Sequence, residues 1–171
     1  MKLNESGLTA IELILGIAIT ALIATAATMT IFQIISSSQR TSNWTMAIRQ
    51  AQSVGYWVSQ DVITAQSITI GDVPETAEVE FITVQWKDWE TGDTHDIRYV
   101  WLDSIDSLKK IRRDQLSRDR NGVEINNKTT LVADNIYSAS FLWQDDAWRL
   151  SVEARSGTKS VTREYEINQR L

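Results

Sequence analysis

The chain has 171 residues, a formal net charge of −5 and no cysteine. Its length suits one small globular domain beyond any membrane segment. The lack of cysteine excludes a disulfide framework and a thiolate metal site, and the negative charge argues against general nucleic-acid affinity. Seven tryptophans against three phenylalanines are unusual. We expect most of them in the core, with one or two at a protein interface.

An apolar segment near the amino terminus carries a single charge. Between Gly7 and Arg40 the only ionisable side chain is Glu12, and nothing from Leu13 to Ile35 is ionisable. About 20 apolar residues are enough to cross a bilayer. A charged side chain inside such a stretch costs roughly 2.5 to 3.5 kcal/mol on insertion. Glu12 is therefore a candidate functional residue that needs a compensating partner.

A free amino terminus could neutralise Glu12. No Lys, Arg or His lies within the apolar span. Cleavage between Gly7 and Leu8 would make Leu8 the first residue and Glu12 the fifth. The first and fifth residues of a helix share a face. The new amine and the carboxylate could then pair within one subunit or between staggered neighbours.

The segment from Gly7 to Leu13, which reads Gly-Leu-Thr-Ala-Ile-Glu-Leu, resembles the cleavage and methylation site of type IV pilins and type II secretion pseudopilins. The resemblance implies that a prepilin peptidase cuts after Gly7 and that Leu8 becomes the N-methylated mature terminus. It also implies that Glu12 aligns each incoming subunit with the filament. Leu8 replaces the usual Phe, and no proline interrupts the apolar helix, so the segment around Met29 should stay helical.

The resemblance also implies a domain organisation and a set of partners. Residues 1–7 would be the leader, 8–35 a transmembrane helix, 36–66 its amphipathic continuation and 67–171 a β-rich head. We expect a single-pass protein of the cytoplasmic (inner) membrane with an extracytoplasmic head, found in an envelope filament after assembly. The expected partners are other pilin or pseudopilin subunits, the prepilin peptidase, the inner-membrane assembly platform and membrane lipid. No cofactor is expected.

Two other interpretations fit the apolar segment. It could be an ordinary secretory signal peptide cut after the small residues Ala24-Thr25-Ala26, although Glu12 would then lie inside its apolar core. It could also be a plain signal anchor for a domain that forms no filament. The mature protein separates these hypotheses, because the pilin-like cut removes residues 1–7 and the signal-peptide cut removes residues 1–26.

A helical pattern continues beyond the apolar segment. The polar stretch from Ser36 to Asn43 contains no Gly or Pro, and apolar residues then recur at alternating spacings of four and three. This stripe predicts one helix from about Leu8 to Ala65 whose second half packs on a globular head. Its members are Trp44, Ile48, Ala51, Gly55, Val58, Val62 and Ala65. We expect Gly55 to contact a sheet closely, and two helices hinged at the serines are the alternative.

From Ile68 onward the sequence alternates with a period of two, which predicts antiparallel strands. The predicted strands are 78–86, 95–102, a short strand 108–113, a crossing segment 131–136, a hairpin of 138–143 and 148–154, and 161–167. Ile97, Tyr99 and Trp101 should share one face. A long helix followed by an antiparallel sheet is an α+β fold. This layout is also pilin-like and is most similar to the J-type minor pseudopilins.

Charge is distributed unevenly along the head. Residues 61–106 hold eleven acids and two bases, whereas residues 109–120 hold six bases and two acids. The six bases form a possible interaction patch for a neighbouring subunit, anionic lipid or DNA, and a solvated face is the plainer interpretation. They are Lys109, Lys110, Arg112, Arg113, Arg118 and Arg120. A DNA-uptake or adhesive pilus subunit is therefore an alternative function, with nucleic acid the less favoured partner.

Neither an enzyme nor a metal site is predicted. His95 is the only histidine, and no Gly-x-Ser-x-Gly nucleophile motif accompanies it. The acids around one predicted turn match no calcium-loop spacing, so solvated hairpin turns are the simpler interpretation. These acids are Asp88, Glu90, Asp93 and Asp96.

Overall fold

The computed structural model describes residues 9–71, 80–103 and 108–169. Within these residues, one helix, α1 (Ala10–Thr64), precedes seven strands. The strands are β1 (Ser67–Ile70), β2 (Glu80–Lys87), β3 (Thr94–Asp103), β4 (Lys109–Arg118), β5 (Glu124–Gln144), β6 (Ala147–Ser156) and β7 (Lys159–Ile167). The predicted α+β architecture is confirmed at this level. The chain divides after Ser42 into two units, which are described separately below.

Helix α1 is continuous through the polar stretch at 36–43, as predicted. No proline lies inside it, because the one proline of the chain is Pro74. The helix ends where the Ala65 amide donates to the Val62 carbonyl at 3.2 Å. The next amide, that of Gln66, donates to the Gln85 carbonyl at 2.9 Å and leads the chain into the sheet.

The seven strands form one antiparallel sheet in chain order, from β1 to β7. Strand β5 has 21 residues because it pairs with two strands in turn, with β4 up to Ile136 and with β6 from Ile136 onward. The register shifts on both sides of this change of partner, and Asn135 there has a positive φ of 57°. Such irregularities bend a strand, which lets the sheet curl.

The predicted hairpins are confirmed, and two other predicted strands are longer than expected. Strands β2 and β3 match the predicted 78–86 and 95–102, although residues 78 and 79 lie outside the described residues. Asp145 and Asp146 join β5 to β6 with φ values of 52° and 60°, typical of a type I′ turn. The short basic strand is the ten-residue β4, and the segment 131–136 is the middle of β5.

The core of the second unit lies between α1 and one face of the sheet. The helix contributes small side chains, and the strands contribute larger ones such as Ile82, Ile97 and Ile111, all fully buried. Burying one side chain of this size stabilises the fold by about 1.5–3 kcal/mol. The fully buried helix residues are Ala47, Ala51, Val54, Val58 and Val62.

The buried face of α1 differs in part from the predicted stripe. Trp44 is 55% exposed and Ile48 is only half-buried, whereas Ala47 and Val54 are fully buried. The helix approaches the sheet through small residues, so the bulky first members of the predicted stripe lie outside the contact. Gly55 confirms the expected close approach, because a Cβ at this position would lie only 2.1 to 2.5 Å from three ring carbons of Tyr165 on β7.

The prediction that most tryptophans are core residues is wrong. Trp44, Trp89 and Trp143 are exposed. The other four are half-buried and pack against the border of the core. They are Trp57, Trp86, Trp101 and Trp148.

Candidate functional site

The first unit of the chain is the apolar half of α1. Its large apolar side chains are exposed along the whole segment, from Ile11 to Ile35. By length and composition α1 is able to cross a membrane. Exposed apolar surface of this extent needs an apolar surrounding or a protein partner. The candidate functional site is therefore this segment, together with Glu12 at its start.

Glu12 takes part in a capping box at the start of α1. Its Oε2 atom accepts hydrogen bonds from the Thr9 amide at 3.0 Å and from the Thr9 hydroxyl at 2.9 Å. The Glu12 amide in turn lies 3.4 Å from the Thr9 hydroxyl oxygen. This Thr-x-x-Glu arrangement satisfies backbone donors that a helix start leaves free. The motif is visible in the sequence as Thr9-Ala10-Ile11-Glu12.

The threonine side chains within the apolar half of α1 are satisfied locally. Four threonine hydroxyls each donate to the carbonyl four residues earlier, at 2.7 to 2.9 Å. A hydroxyl bonded in this way can face lipid without an unpaired polar group. The threonines are Thr20, Thr25, Thr28 and Thr30. Glu12 is the one ionisable residue of the segment 9–39, so it is the one side chain there whose charge needs a partner.

The predicted cleavage and methylation positions, Gly7 and Leu8, lie outside the described residues. Their roles stay predictions. Thr9 is the first described residue and Glu12 lies in the first turn of α1. The described geometry therefore begins two positions after the predicted cut.

The predicted basic patch does not form one surface. Arg113 is only 5% exposed and points to the core side. The prediction that it belongs to an exposed patch is therefore wrong. Side chains alternate along a strand, and Arg113 shares the face of the buried Ile111. Because residues two apart on a strand share a face, the apolar Ile111 was the signal that Arg113 faces the core.

Other members of the patch already have partners within the chain. Arg112 pairs with Asp114 at 2.7 Å, and Arg118 pairs with Asp96 at 2.6 Å. The Lys109 ammonium lies 5.2 Å from the centre of the Trp101 ring. Lys110 is half-buried, and Arg120 is exposed in the turn after β4. Neighbouring acids therefore reduce the positive charge that this segment offers to a ligand.

A buried polar network joins α1 to the centre of the sheet. Arg113 bonds to both carboxylate oxygens of Asp61, and the Tyr99 hydroxyl donates to the same carboxylate. Arg113 also donates to Gln115 at 2.9 Å, and its guanidinium carbon lies 5.0 Å from the centre of the Trp57 ring. We name Asp61, Tyr99 and Arg113 the helix–sheet network.

Sequence reasoning missed the helix–sheet network because Asp61 is charged and was left off the apolar stripe. The spacing still held a signal, since Asp61 follows the buried Val54 and Val58 at seven and three residues. A charge in phase with a buried face must find a partner of opposite charge or remain costly. Arg113, in phase with Ile111, is that partner.

The network shifts the pKa of two of its members. Burial first, and then the charge and hydrogen bond of Asp61, raise the pKa of Tyr99 well above its usual value. Burial alone would lower the pKa of Arg113, but the hydrogen bond and charge of Asp61 outweigh it and raise the pKa. Both shifts hold Tyr99 neutral and Arg113 charged at ordinary pH.

The other candidate groups are part of the sheet and its turns. His95 stacks on Trp86 with ring centres 5.0 Å apart, and its Nδ1 lies 2.8 Å from the Ser117 hydroxyl oxygen. The Asp88 carboxylate accepts hydrogen bonds from backbone amides of its turn, and the bond from the Glu90 amide to Oδ1 measures 2.8 Å. These bonds lower the pKa of Asp88. Within residues 9–71, 80–103 and 108–169, no three His, Asp or Glu side chains are grouped to hold a metal ion.

The chain was compared with protein-family models, curated proteins and solved structures. No protein-family model, no curated protein and no solved structure matches the chain.

Proposed function

We propose that the chain is a minor pilin or pseudopilin, a structural subunit of a type II secretion pseudopilus or type IV pilus. In this proposal a prepilin peptidase cuts after Gly7 and the subunit assembles through the apolar half of α1. The observation that supports it most is the position of Glu12. It is the sole charge at the start of an unbroken apolar helix, three residues after the Gly7-Leu8-Thr9 junction.

The proposed role of Glu12 follows from the cost of its charge in lipid. An isolated buried ion costs several kcal/mol, and pairing with an opposite charge offsets that cost. The amine of Leu8, exposed by cleavage, would be the nearest opposite charge in the membrane. Pairing between the Leu8 amine of one subunit and Glu12 of the next would fix the axial stagger of the two helices.

The capping box gives Glu12 a second, local role, so a test must separate charge from capping. Glutamine at position 12 keeps the capping geometry but has no charge, because Glu and Gln both serve in a capping box. The test compares Glu12→Gln and Glu12→Ala with a control, Thr9→Ala, which weakens the cap and keeps the charge. Each full-length variant is expressed with its secretion or pilus machinery, and its incorporation into sedimentable filaments is measured.

We expect all three variants to insert into the membrane and to be cleaved. Glu12→Gln and Glu12→Ala should both fail to enter filaments, whereas Thr9→Ala should enter them. If Glu12→Gln assembled as well as the unmodified protein, the carboxylate would serve only as a cap and the assembly role would be wrong. Failure of Thr9→Ala alone would point to the same conclusion.

The remaining residues fit an extracytoplasmic head on a single-span anchor. The second unit, from Asn43 onward, has its own buried core. A head of this kind can present surfaces to neighbouring subunits while α1 supplies the anchor. The partners in this proposal are other pilin or pseudopilin subunits, the prepilin peptidase and the inner-membrane assembly platform.

A further inference from the structure

The apolar contact between α1 and the sheet is nearly uniform along the helix axis. Small side chains recur at spacings of three and four residues, as in Ala47, Ala51, Val54 and Val58. A shift of one helical turn, about 5.4 Å, toward the amino-terminal end of the helix would bring Ala51, Val54, Val58 and Val62 to these four positions. Hydrophobic burial is non-directional and depends on area, so it distinguishes the observed helix position from the shifted one only weakly. Two other contacts distinguish the two helix positions strongly.

The first contact is steric and lies at Gly55. Any Cβ at position 55 would lie only 2.1 to 2.5 Å from three ring carbons of Tyr165, and the Tyr165 hydroxyl donates to the Ala51 carbonyl at 3.3 Å. A shift by one turn would bring Ala51 or Ser59 under that ring. Both residues carry a Cβ, so the ring would have to leave its place on the helix.

The second contact is the helix–sheet network. Asp61 and Arg113 are both buried, and Nε and Nη2 of Arg113 meet the two carboxylate oxygens at 2.8 and 3.0 Å. A shift of one turn would separate the two groups and leave both charges buried without a partner. That state is strongly disfavoured, since an unpaired buried charge is among the costliest defects of a fold. Fixing register is the best-attested use of buried polar groups.

We propose that the Gly55–Tyr165 contact and the helix–sheet network form a register lock. The lock fixes the axial position of residues 43–64 of α1 on the sheet. It lies entirely within the second unit, and it does not depend on the proposed function. In a pilus subunit, the lock would carry axial load from the helix to the sheet.

Disulfide trapping can read the register directly, because the chain contains no cysteine. A Cβ at Gly157, in the β6–β7 turn, would lie 3.3 Å from Cγ of Asn43. The pair Asn43→Cys and Gly157→Cys therefore reports the observed register. The pair Ala47→Cys and Gly157→Cys reports a shift of one turn. Both pairs are placed in the full-length chain, purified in detergent and oxidised under identical conditions.

The lock is removed by exchanging the three network residues for apolar residues of similar size and by truncating Tyr165. The lock-free variant combines Asp61→Leu, Arg113→Met, Tyr99→Phe and Tyr165→Ala, so no buried charge is left without a partner. The control variant is Val58→Ala, which loosens the same interface without touching the lock. Circular dichroism and urea unfolding verify that each variant is folded.

With the lock present we expect only the observed-register cross-link, both in the unmodified background and in Val58→Ala. In the lock-free variant the shifted cross-link should rise from background to a yield comparable with the observed-register one. The proposal is overturned if the lock-free variant keeps only the observed-register cross-link. It is also overturned if that variant does not fold, or if Val58→Ala gains the shifted cross-link to the same extent.

Discussion

Arg113 of β4 donates two hydrogen bonds to Asp61 of α1, from Nε to Oδ2 at 2.8 Å and from Nη2 to Oδ1 at 3.0 Å. The two residues lie 52 positions apart in the chain, and both are buried. A bidentate pair of this geometry satisfies both carboxylate oxygens, and the Tyr99 hydroxyl adds a further donor. This contact joins the helix to the centre of the sheet and leads to the first two predictions.

Removing one partner of this pair should destabilise the second unit strongly. Asp61→Ala leaves the Arg113 guanidinium buried without its counter-charge, and changes of this kind cost about 3–5 kcal/mol. Urea unfolding of the full-length protein in detergent, followed by tryptophan fluorescence, measures the loss. The matched control is Arg149→Ala, which breaks an exposed pair with Asp145 and should change stability by about 0–1 kcal/mol. Equal losses for the two variants would contradict the buried role of Asp61.

The raised pKa of Tyr99 predicts a loss of stability at high pH. The folded state binds the phenolic proton more tightly than the unfolded chain, whose tyrosines titrate near pH 10. The stabilisation is therefore complete below that pH and is lost as the pH rises through and above it. Urea unfolding at a series of pH values from 8 to about 11 should show the decline.

Tyr99→Phe tests the origin of this decline. The variant should lose stability at neutral pH, because Asp61 loses a donor, and its stability should fall less steeply above pH 10. Tyr165, whose pKa is also raised by burial, contributes with the same sign, so Tyr165→Phe is the comparison variant. A pH profile in Tyr99→Phe identical to that of the unmodified protein would show that Tyr99 does not carry the effect.

Gly55 should tolerate no larger residue while Tyr165 is present. In Gly55→Ala the new Cβ overlaps the Tyr165 ring, and overpacking of this kind costs about 1–3 kcal/mol. The better helix propensity of alanine returns up to about 1 kcal/mol, so the net loss is smaller than the clash alone. In a Tyr165→Ala background the same substitution should be neutral or stabilising. If Gly55→Ala cost the same in both backgrounds, the close approach would not explain the glycine.

The helix and the hairpins were predictable from the sequence because their signals are strong and local. A long segment without ionisable residues predicts the apolar half of α1, and a period near two with many β-branched and aromatic residues predicts β2 and β3. The Asp145-Asp146 pair marks the β5–β6 turn. Each of these signals depends only on residues close in the chain.

Long-range pairing could not be read in the same way. The partner of Asp61 lies 52 residues away, and only the ladder from β2 to β4 brings Arg113 under the helix. The same ladder removes Arg113 from the basic patch that composition suggested. Likewise, nothing local shows that β5 serves two partners, because its change from β4 to β6 depends on where those strands lie.

An intact-mass measurement of the mature protein tests the proposed amino-terminal cleavage most directly. The protein is purified from cells that contain an active prepilin peptidase, and its amino-terminal peptide is identified by mass spectrometry. The account predicts a chain that begins at Leu8 and carries a methyl group on its amine. A chain that retains Met1–Gly7, or one that begins after Ala26, would contradict it.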